Sequence, residues 1–118
     1  MLIQDTRAIV SGGASGLGLA AAELVVAAGG KVALFDVNDQ AGVDAVRKLG
    51  PAASFHKVDV TAESAVAEAV AAATTAMGGL NLAVSCAGVG WPKRMVGKEG
   101  TMPGDFFRKV IEINLVGT

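Results

Sequence analysis

The 118 residues are enough for one folded domain, and 52% of them are hydrophobic. A formal net charge of −1 at pH 7 excludes nucleic acids and anionic membranes as partners attracted by charge. A single cysteine excludes an internal disulfide framework, and Met1 to Arg7 lack the basic region of a secretory signal.

A short apolar run, a glycine-rich turn and a helix-forming run open the chain in that order. Ala8 to Val10 is typical of a buried parallel strand, residues 11–18 read Ser-Gly-Gly-Ala-Ser-Gly-Leu-Gly, and Leu19 to Ala28 is rich in helix formers. A helix start presents free N–H groups and a partial positive charge. The order therefore predicts a turn that binds a pyrophosphate, with a glycine-rich turn that binds nothing as the alternative.

The glycines of this turn fit a dinucleotide better than other phosphate ligands. Gly12 is expected to turn the chain sharply, Gly16 to leave room for the ligand, and Gly18 to let the helix pack close to the sheet. A Walker A loop needs a Lys-Ser/Thr pair after its last glycine, where this chain has Leu19-Ala20. A methyltransferase-type loop has an acid at the end of the first strand, where this chain has Val10-Ser11.

An acidic residue follows the second predicted strand, Lys31 to Phe35. This residue, Asp36, lies at the distance from Gly18 that one helix and one strand require. A carboxylate there accepts hydrogen bonds from both ribose hydroxyls of an adenosine and repels a 2′-phosphate. Val37 and Asn38 supply no cation to offset that repulsion. The spacing therefore favours NAD over NADP as the cofactor, with a cap or turn residue as the alternative role.

Strands and helices continue to alternate through the rest of the chain. In chain order we expect a helix capped by Asn38 and ended by Gly50-Pro51, a strand from Ala53 to Lys57, a helix capped by Thr61 and closed by Gly78-Gly79, a strand from Leu80 to Ser85, a polar loop from Gly90 to Gly100, and a helix begun at Pro103. Such alternation predicts an α/β fold with a doubly wound parallel sheet in strand order 3-2-1-4. A ligand crevice is expected between the first and fourth strands at their carboxyl ends.

Four short motifs follow one another along the chain. They are the glycine turn of residues 11–18, Asp59-Val60 after the third strand, Cys86-Ala87-Gly88 after the fourth, and Asn114 in the last helix. In this order they resemble the N-terminal half of a short-chain dehydrogenase/reductase. That family has its cofactor turn, an acidic pair, an Asn-Asn-Ala-Gly motif (matched here in its last two residues only) and a catalytic asparagine at these places. The resemblance implies that residues 1–118 form an NAD-binding, Rossmann-like domain, the N-terminal portion of a longer oxidoreductase.

The resemblance also implies a role for each matched residue. Asn114 would be a catalytic residue that holds a water in the proton path. Asp59 and Val60 would fix the adenine, and Ser15 and Leu17 would contact the cofactor beside its pyrophosphate. The residues implied to bind NAD are Gly12, Ser15, Gly16, Leu17, Gly18, Asp36, Asp59, Val60, Cys86, Ala87 and Gly88. No spacing of His, Cys or acidic residues indicates a metal site.

A finer resemblance concerns the residues that follow the fourth strand. Cys86 to Gly88, the long loop after them and Asp105 to Val110 are similar to the type-2 3-hydroxyacyl-CoA dehydrogenases, which oxidise acyl-CoA thioesters with NAD. This resemblance implies fatty acid metabolism, a small-molecule secondary alcohol as substrate and a homotetramer in the complete form. It also implies a cytoplasmic location in a bacterium or a mitochondrial one in a eukaryote. Trp91 would either line the substrate mouth or anchor the loop.

The chain departs from the family's pattern in its catalytic residues. It contains no tyrosine, so the family's Tyr-x-x-x-Lys pair is absent. We therefore expect a fragment or truncated form whose 118 residues have no dehydrogenase activity by themselves. The alternative is a non-catalytic nucleotide-binding or interaction module, which would have no use for Asn114 in a catalytic-helix motif.

Overall fold

A computed structural model describes all 118 residues, and it contains a four-stranded parallel sheet with helices on both faces. The strands are β1 (Arg7–Ser11), β2 (Lys31–Asp36), β3 (Ala53–Lys57) and β4 (Leu82–Ser85), and they lie in the order β3-β2-β1-β4. The helices are α1 (Gly16–Ala27), α2 (Asp39–Leu49), α3 (Glu63–Met77) and α4 (Gly104–Ile111). The predicted α/β fold and its strand order are confirmed.

The sheet separates two apolar layers, because successive strand residues point to opposite faces. The layer that joins the sheet to α1 and α2 contains Ala8, Val10, Ala22, Val25, Val32, Leu34 and Ala45. The layer that joins the sheet to α3 contains Ile9, Ala33, Phe35, Val58, Ala73 and Met77. Burial of both faces explains why β1 and β2 read as continuous apolar runs rather than as alternating ones.

Strand register brings the carboxyl ends of three strands to one level. Ser11, the last residue of β1, pairs with Phe35 of β2 and with Ser85 of β4. Asp36 follows Phe35 at the end of β2, so its side chain lies beside the glycine turn that follows β1. The fold thus places the segments after β1, β2 and β4 around one end of the sheet.

The start of α3 differs from the prediction. The sequence pattern predicts Thr61 as the N-cap, but the cap position is taken by Ala62, which makes no side-chain capping bond. Thr61 instead donates both its N–H and its hydroxyl to Oδ1 of Asp59. Bonds of this kind form a local turn that competes with capping. The prediction for α2 is confirmed, because Oδ1 of Asn38 accepts a backbone N–H of its first turn.

The fourth strand is shorter than predicted. It begins at Leu82 and not at Leu80, because the side-chain oxygen of Asn81 accepts the N–H of Arg7 at 2.7 Å in place of a strand carbonyl. Nδ2 of Asn81 also donates to the carbonyl of Asp5 at 3.0 Å. One side chain therefore ties the start of β4 to the segment that leads into β1.

The region after β4 contains more regular structure than a polar loop. A small antiparallel hairpin joins β5 (Val96–Gly97) to β6 (Gly100–Thr101). Pro103 caps α4 and is not part of it, and α4 continues as a π-helical turn over Glu112–Val116. None of the helices combines the length and the apolarity needed to cross a lipid bilayer.

Candidate functional site

A cleft of about 640 Å³ opens at the carboxyl ends of β1, β2 and β4. Every residue predicted to bind the cofactor lines it: Gly12, Ser15, Gly16, Leu17, Gly18, Asp36, Asp59, Val60, Cys86, Ala87 and Gly88. Trp91 lines it as well, while Asn114 does not. No motif predicts the remaining lining residues, which are Phe35, Val37, Val58, Val89, Lys109 and Ile113.

The segment after β4 lies directly against the glycine turn. Gly12 has a φ of +64°, and a Cβ on it would lie 2.7 Å from the backbone nitrogen of Ala87 and 2.8 Å from the carbonyl oxygen of Cys86. Ser11 fixes this approach, since its carbonyl accepts the N–H of Cys86 at 3.0 Å and its hydroxyl accepts the N–H of Ala87 at 3.3 Å. Only glycine at position 12 allows both the left-handed turn and this contact.

The contacts of Gly13 and Gly18, two buried glycines of the turn, differ from the prediction. A Cβ on Gly18 would collide with the carbonyl oxygen of Gly12, so Gly18 lets α1 pack against the turn itself. The close approach to the sheet that the pattern assigns to Gly18 belongs to Gly13. A Cβ on Gly13 would lie 2.7 Å from the carbonyl oxygen of Val10 and 3.0 Å from Cδ2 of Leu34. The turn is therefore packed from the sheet side as well as from the helix side.

The start of α1 is open towards the cleft. Gly16 has a φ of +53°, and a Cβ built on it would meet no atom within 4 Å. The N-cap residue Ser15 makes no side-chain capping bond, and the first N–H groups of a helix have no partner within it. Exposed N–H groups and the positive end of the helix dipole thus face open space. These are the features that hold a phosphate at a helix N-terminus.

The carboxylate of Asp36 points towards the glycine turn. Its Oδ2 accepts the N–H of Ala14 at 3.1 Å, and its Oδ1 accepts the N–H of Asn38 at 3.1 Å. These two bonds orient the side chain at the rim of the cleft and leave further lone pairs free, since each carboxylate oxygen can accept more than one bond. The carboxylate of Asp36 can therefore accept hydrogen bonds from two hydroxyls of a bound sugar beside the start of α1.

The acid after β3 is held by its local turn. Oδ1 of Asp59 accepts the hydroxyl of Thr61 at 2.7 Å and its N–H at 2.9 Å. The hydroxyl bond, and then the N–H bond, hold the pKa of Asp59 below its usual range, and the charge of Lys109 acts in the same direction. Asp59 is therefore ionised at neutral pH and is ready to accept a hydrogen bond from a ligand.

We expect Thr61→Val to raise the pKa of Asp59 towards its ordinary value, because the hydroxyl is the largest cause of the shift. A carboxyl whose pKa is lowered on folding stabilises the protein above its unfolded pKa, and this contribution is lost as the pH falls through the folded value. The variant should therefore lose less stability in acid than the parent protein does. NMR titration of the carboxyl carbon measures the pKa directly. Thr75→Val, on an exposed threonine of α3, is the control, and an unchanged pKa in Thr61→Val would contradict this assignment.

Asn114 braces the segment that follows β4. Its Oδ1 accepts the N–H of Val89 at 2.7 Å, and its Nδ2 donates to the carbonyl of the same residue at 2.8 Å. Its own carbonyl accepts the hydroxyl of Thr118 at 3.0 Å. The residue lies in the π-helical turn, an irregularity that is frequent at functional sites. The side chain therefore fixes the wall of the cleft that Gly88 and Val89 form.

Aromatic rings and cations stack where the cleft meets α4. The ring of Trp91 lies 6.1 Å from that of Phe106, and Nζ of Lys109 lies 5.7 Å from the centroid of Trp91. Nζ of Lys93 lies 5.3 Å from the ring of Phe106. Both roles considered for Trp91 are consistent with this arrangement, because the residue lines the cleft and also ties its loop to α4.

Several curated proteins are similar to this chain. The 3-hydroxyacyl-CoA dehydrogenase type-2 of Homo sapiens is 39% identical over 118 residues, which is 98% of this chain and 45% of that protein. Momilactone A synthase of Oryza sativa subsp. japonica is 40% identical over 111 residues, 93% of this chain and 40% of that one. A 2,5-dichloro-2,5-cyclohexadiene-1,4-diol dehydrogenase of Sphingobium indicum is 39% identical over 113 residues, again 93% of this chain and 43% of the relative. The chain therefore spans less than half the length of these relatives.

The match to a protein family covers almost the whole chain. The family model described as short chain dehydrogenase matches residues 6–118. This range contains the glycine turn, both acidic positions, the segment after β4 and Asn114. The chain therefore belongs to the short-chain dehydrogenase family of oxidoreductases.

Proposed function

We propose that these residues form the NAD-binding part of an enzyme that oxidises a secondary alcohol to a ketone. One observation carries the proposal: the residues of three separate motifs line a single cleft, and the carboxylate of Asp36 faces the glycine turn within it. The bond from the N–H of Asn38 is the local turn that the alternative role predicts, but the bond from the N–H of Ala14 holds the carboxylate against the glycine turn, a contact that a cap or turn role does not require. The geometry therefore favours a dinucleotide site over a ligand-free turn.

The residues present fit the cofactor that the family typically uses, NAD(P). The open N–H groups at Gly16 and Leu17 would bind the diphosphate, and Asp36 would accept the ribose hydroxyls. Asp59 would accept the adenine amino group, and Val60 would meet the ring. When bound, the nicotinamide supplies the acceptor for the hydride that leaves the alcohol carbon.

The same residues favour NAD over NADP. A 2′-phosphate at the adenosine ribose would meet the negative charge of Asp36 at close range. The next residues, Val37 and Asn38, carry no positive charge, and no Lys or Arg side chain forms an ion pair with Asp36. Repulsion by Asp36 would therefore act against NADP without a compensating partner.

A 3-hydroxyacyl-CoA thioester is the substrate class we propose. The support is the similarity to the human relative whose name gives that activity, together with Cys86 to Gly88 and Asp105 to Val110. Of two other similar proteins, one is named as the dehydrogenase of a chlorinated cyclohexadienediol and the other as momilactone A synthase, so the proposal goes beyond family membership. Assembly as a homotetramer in the complete enzyme is part of the same proposal, as is a small molecule, rather than a macromolecule, as substrate.

We expect the purified 118-residue chain to bind NAD more tightly than NADP, and to transfer no hydride from a short 3-hydroxyacyl-CoA. The reason for inactivity is the absence of a tyrosine, the proton acceptor of the family's Tyr-x-x-x-Lys pair. Isothermal titration calorimetry measures the binding, and absorbance at the NADH band measures turnover. Tighter binding of NADP would refute the ribose assignment, and turnover by the 118 residues would refute the predicted inactivity.

A complete reading frame that carries Tyr-x-x-x-Lys and turns over the thioester would favour the enzyme over a non-catalytic binding module.

A further inference from the structure

Gly117 follows the π-helical turn, and none of the roles implied for the site includes it. Its N–H donates to the carbonyl of Glu112 at 2.8 Å, the bond over five residues that defines a π-helix. Its φ of −73° and ψ of −8° are angles that residues with a side chain also adopt. The backbone conformation therefore does not explain why this position is a glycine.

The lack of space beside Gly117 does explain it. A Cβ on this residue would lie 2.6 Å from Cγ2 of Val60 and 3.2 Å from its Cβ. It would also lie 2.8 Å from the carbonyl oxygen of Ile113, inside the turn itself. Valine is branched at Cβ and stiff about χ1, so its methyl group has little freedom to turn away. Only glycine at position 117 therefore lets the turn lie this close to the wall of the cleft that Val60 forms.

A methyl group added at Gly117 would displace the turn more than it would displace Val60. Val60 follows Val58, which is 3% exposed, and the N–H of Ala62 donates to the carbonyl of Asp59 at 3.0 Å across it. The π-helical turn, in contrast, contains no buried residue. Overpacking forces shifts in the backbone, and we expect the shift in the less constrained element. The turn is therefore the part that moves.

Asn114 would move with the turn, because it lies within it, three residues before Gly117. Its side chain accepts the N–H of Val89 at 2.7 Å and donates to the carbonyl of the same residue at 2.8 Å. Its Oδ1 would lie only 3.3 Å from a Cβ on Gly88. These contacts are close enough that a shift of the turn would weaken both bonds to Val89.

We propose that Gly117 is a positioning residue for the cleft. Its lack of a side chain lets the turn rest against Val60 at the depth at which Asn114 holds Val89. The glycine thus links the wall after β3 to the wall after β4. The inference rests on the proposed dinucleotide function, in which Val60 would meet the adenine and the segment after β4 would lie along the nicotinamide half.

The test compares Gly117→Ala with Gly104→Ala, its matched control. Gly104 begins the same helix, and a Cβ on it would meet no atom within 4 Å. In Gly117→Ala we expect the affinity for NAD, measured by calorimetry, to fall about tenfold, the effect of one lost hydrogen bond. The affinity for ADP, which has no nicotinamide half, should change by less than about twofold. Gly104→Ala should bind both ligands as the parent protein does.

A second measurement follows the position of Asn114 without any ligand. Hydrogen exchange observed by NMR reports the bond that the N–H of Val89 donates to Asn114. In Gly117→Ala this N–H should exchange about tenfold faster than in the parent protein. The N–H of Cys86, which is bonded to the carbonyl of Ser11, should keep its rate. An unchanged rate at Val89 would contradict the positioning role.

Val60→Ala should rescue the Gly117→Ala variant, because it removes the methyl group that the new Cβ would meet. In a Val60→Ala background, the change of Gly117 to alanine should lower the affinity for NAD by about threefold or less. Residues in contact show such coupling in a double-mutant cycle, whereas independent sites do not. Equal losses in the two backgrounds would show that the contact with Val60 does not set the position of the turn, and would overturn the inference.

The outcomes separate this inference from the function on which it rests. If the parent protein binds NAD and Gly117→Ala binds it equally well, Gly117 does not position the cleft and the proposed function stands. Equal weakening for NAD and ADP, or a variant that circular dichroism shows to be unfolded, would also refute the inference, since the glycine would then serve the fold as a whole. If the parent protein binds no NAD, the proposed function fails, while the exchange rate at Val89 still tests whether Gly117 positions Asn114.

Discussion

Replacement of Gly12 by alanine is expected to lower the free energy of unfolding by about 3 kcal/mol. A left-handed backbone costs a residue with a Cβ about 1–2 kcal/mol, and overpacking adds about 1–3 kcal/mol. The overpacking arises because the new Cβ would lie 2.7 Å from the backbone nitrogen of Ala87, which cannot move without breaking the bonds from Ser11 to the segment after β4. Urea denaturation of the parent and variant proteins measures the difference.

Gly16→Ala is the matched control for this prediction. Gly16 also has a positive φ, at +53°, but its Cβ would meet no atom within 4 Å. We therefore expect a loss of only about 1–2 kcal/mol, the backbone penalty alone. The new methyl group would nevertheless occupy the open space at the start of α1, so ligand affinity should fall. Equal losses of stability in the two variants would show that the contact between Gly12 and Ala87 is not tight.

Replacement of Asp36 by alanine is expected to remove the preference for NAD. The loss of two hydrogen bonds from sugar hydroxyls to a charged acceptor predicts a decrease in NAD affinity of about 100-fold. The affinity for NADP should be unchanged or higher, because the negative charge that opposes a 2′-phosphate is gone. Calorimetric titrations of the variant with both dinucleotides give the ratio of the two affinities.

Asp39→Ala is the control for the Asp36 variant. Asp39 is also an acidic residue near the end of β2, but it is ion-paired with Lys57 and does not line the cleft. Its replacement should leave the ratio of NAD to NADP affinity unchanged. An Asp36→Ala protein that is folded and keeps the parent ratio would be incompatible with the ribose role. The unfolding transition of the variant must be recorded as well, because Asp36 also accepts the N–H groups of Ala14 and Asn38.

The parts of the site that could be predicted are those that depend on local order along the chain. Gly12 follows β1, Gly16 begins α1, and Asp36 ends β2. Each residue adds a fixed rise to a helix or a strand. One helix and one strand therefore carry the chain away from the glycine turn and back, which brings the carboxylate of Asp36 beside it. The strand order was predicted from the alternation of strands and helices along the chain, together with the fixed hand of the crossovers between parallel strands.

The parts that could not be predicted depend on contacts between residues that are distant in sequence. Asn114 bonds to the backbone of Val89, and Lys109 reaches the ring of Trp91, through a helix whose placement the sequence alone does not determine. The wrong prediction of the N-cap of α3 has a local cause. Thr61 is a residue type that caps helices by accepting a backbone N–H with its hydroxyl oxygen, but here its hydroxyl and its own N–H donate to the carboxylate of Asp59, two residues earlier, and the cap position falls on Ala62.

Trp91 is the single tryptophan of the chain, it lines the cleft, and 43% of its surface is exposed. The ammonium of Lys109 lies against its ring, so a ligand that enters the cleft must alter the polarity and the charge that the indole experiences. The emission maximum and the fluorescence intensity of Trp91 should therefore change when a ligand binds in the cleft. Binding could then be followed in solution without any label, and a variant that binds could be told from one that does not in a single optical titration.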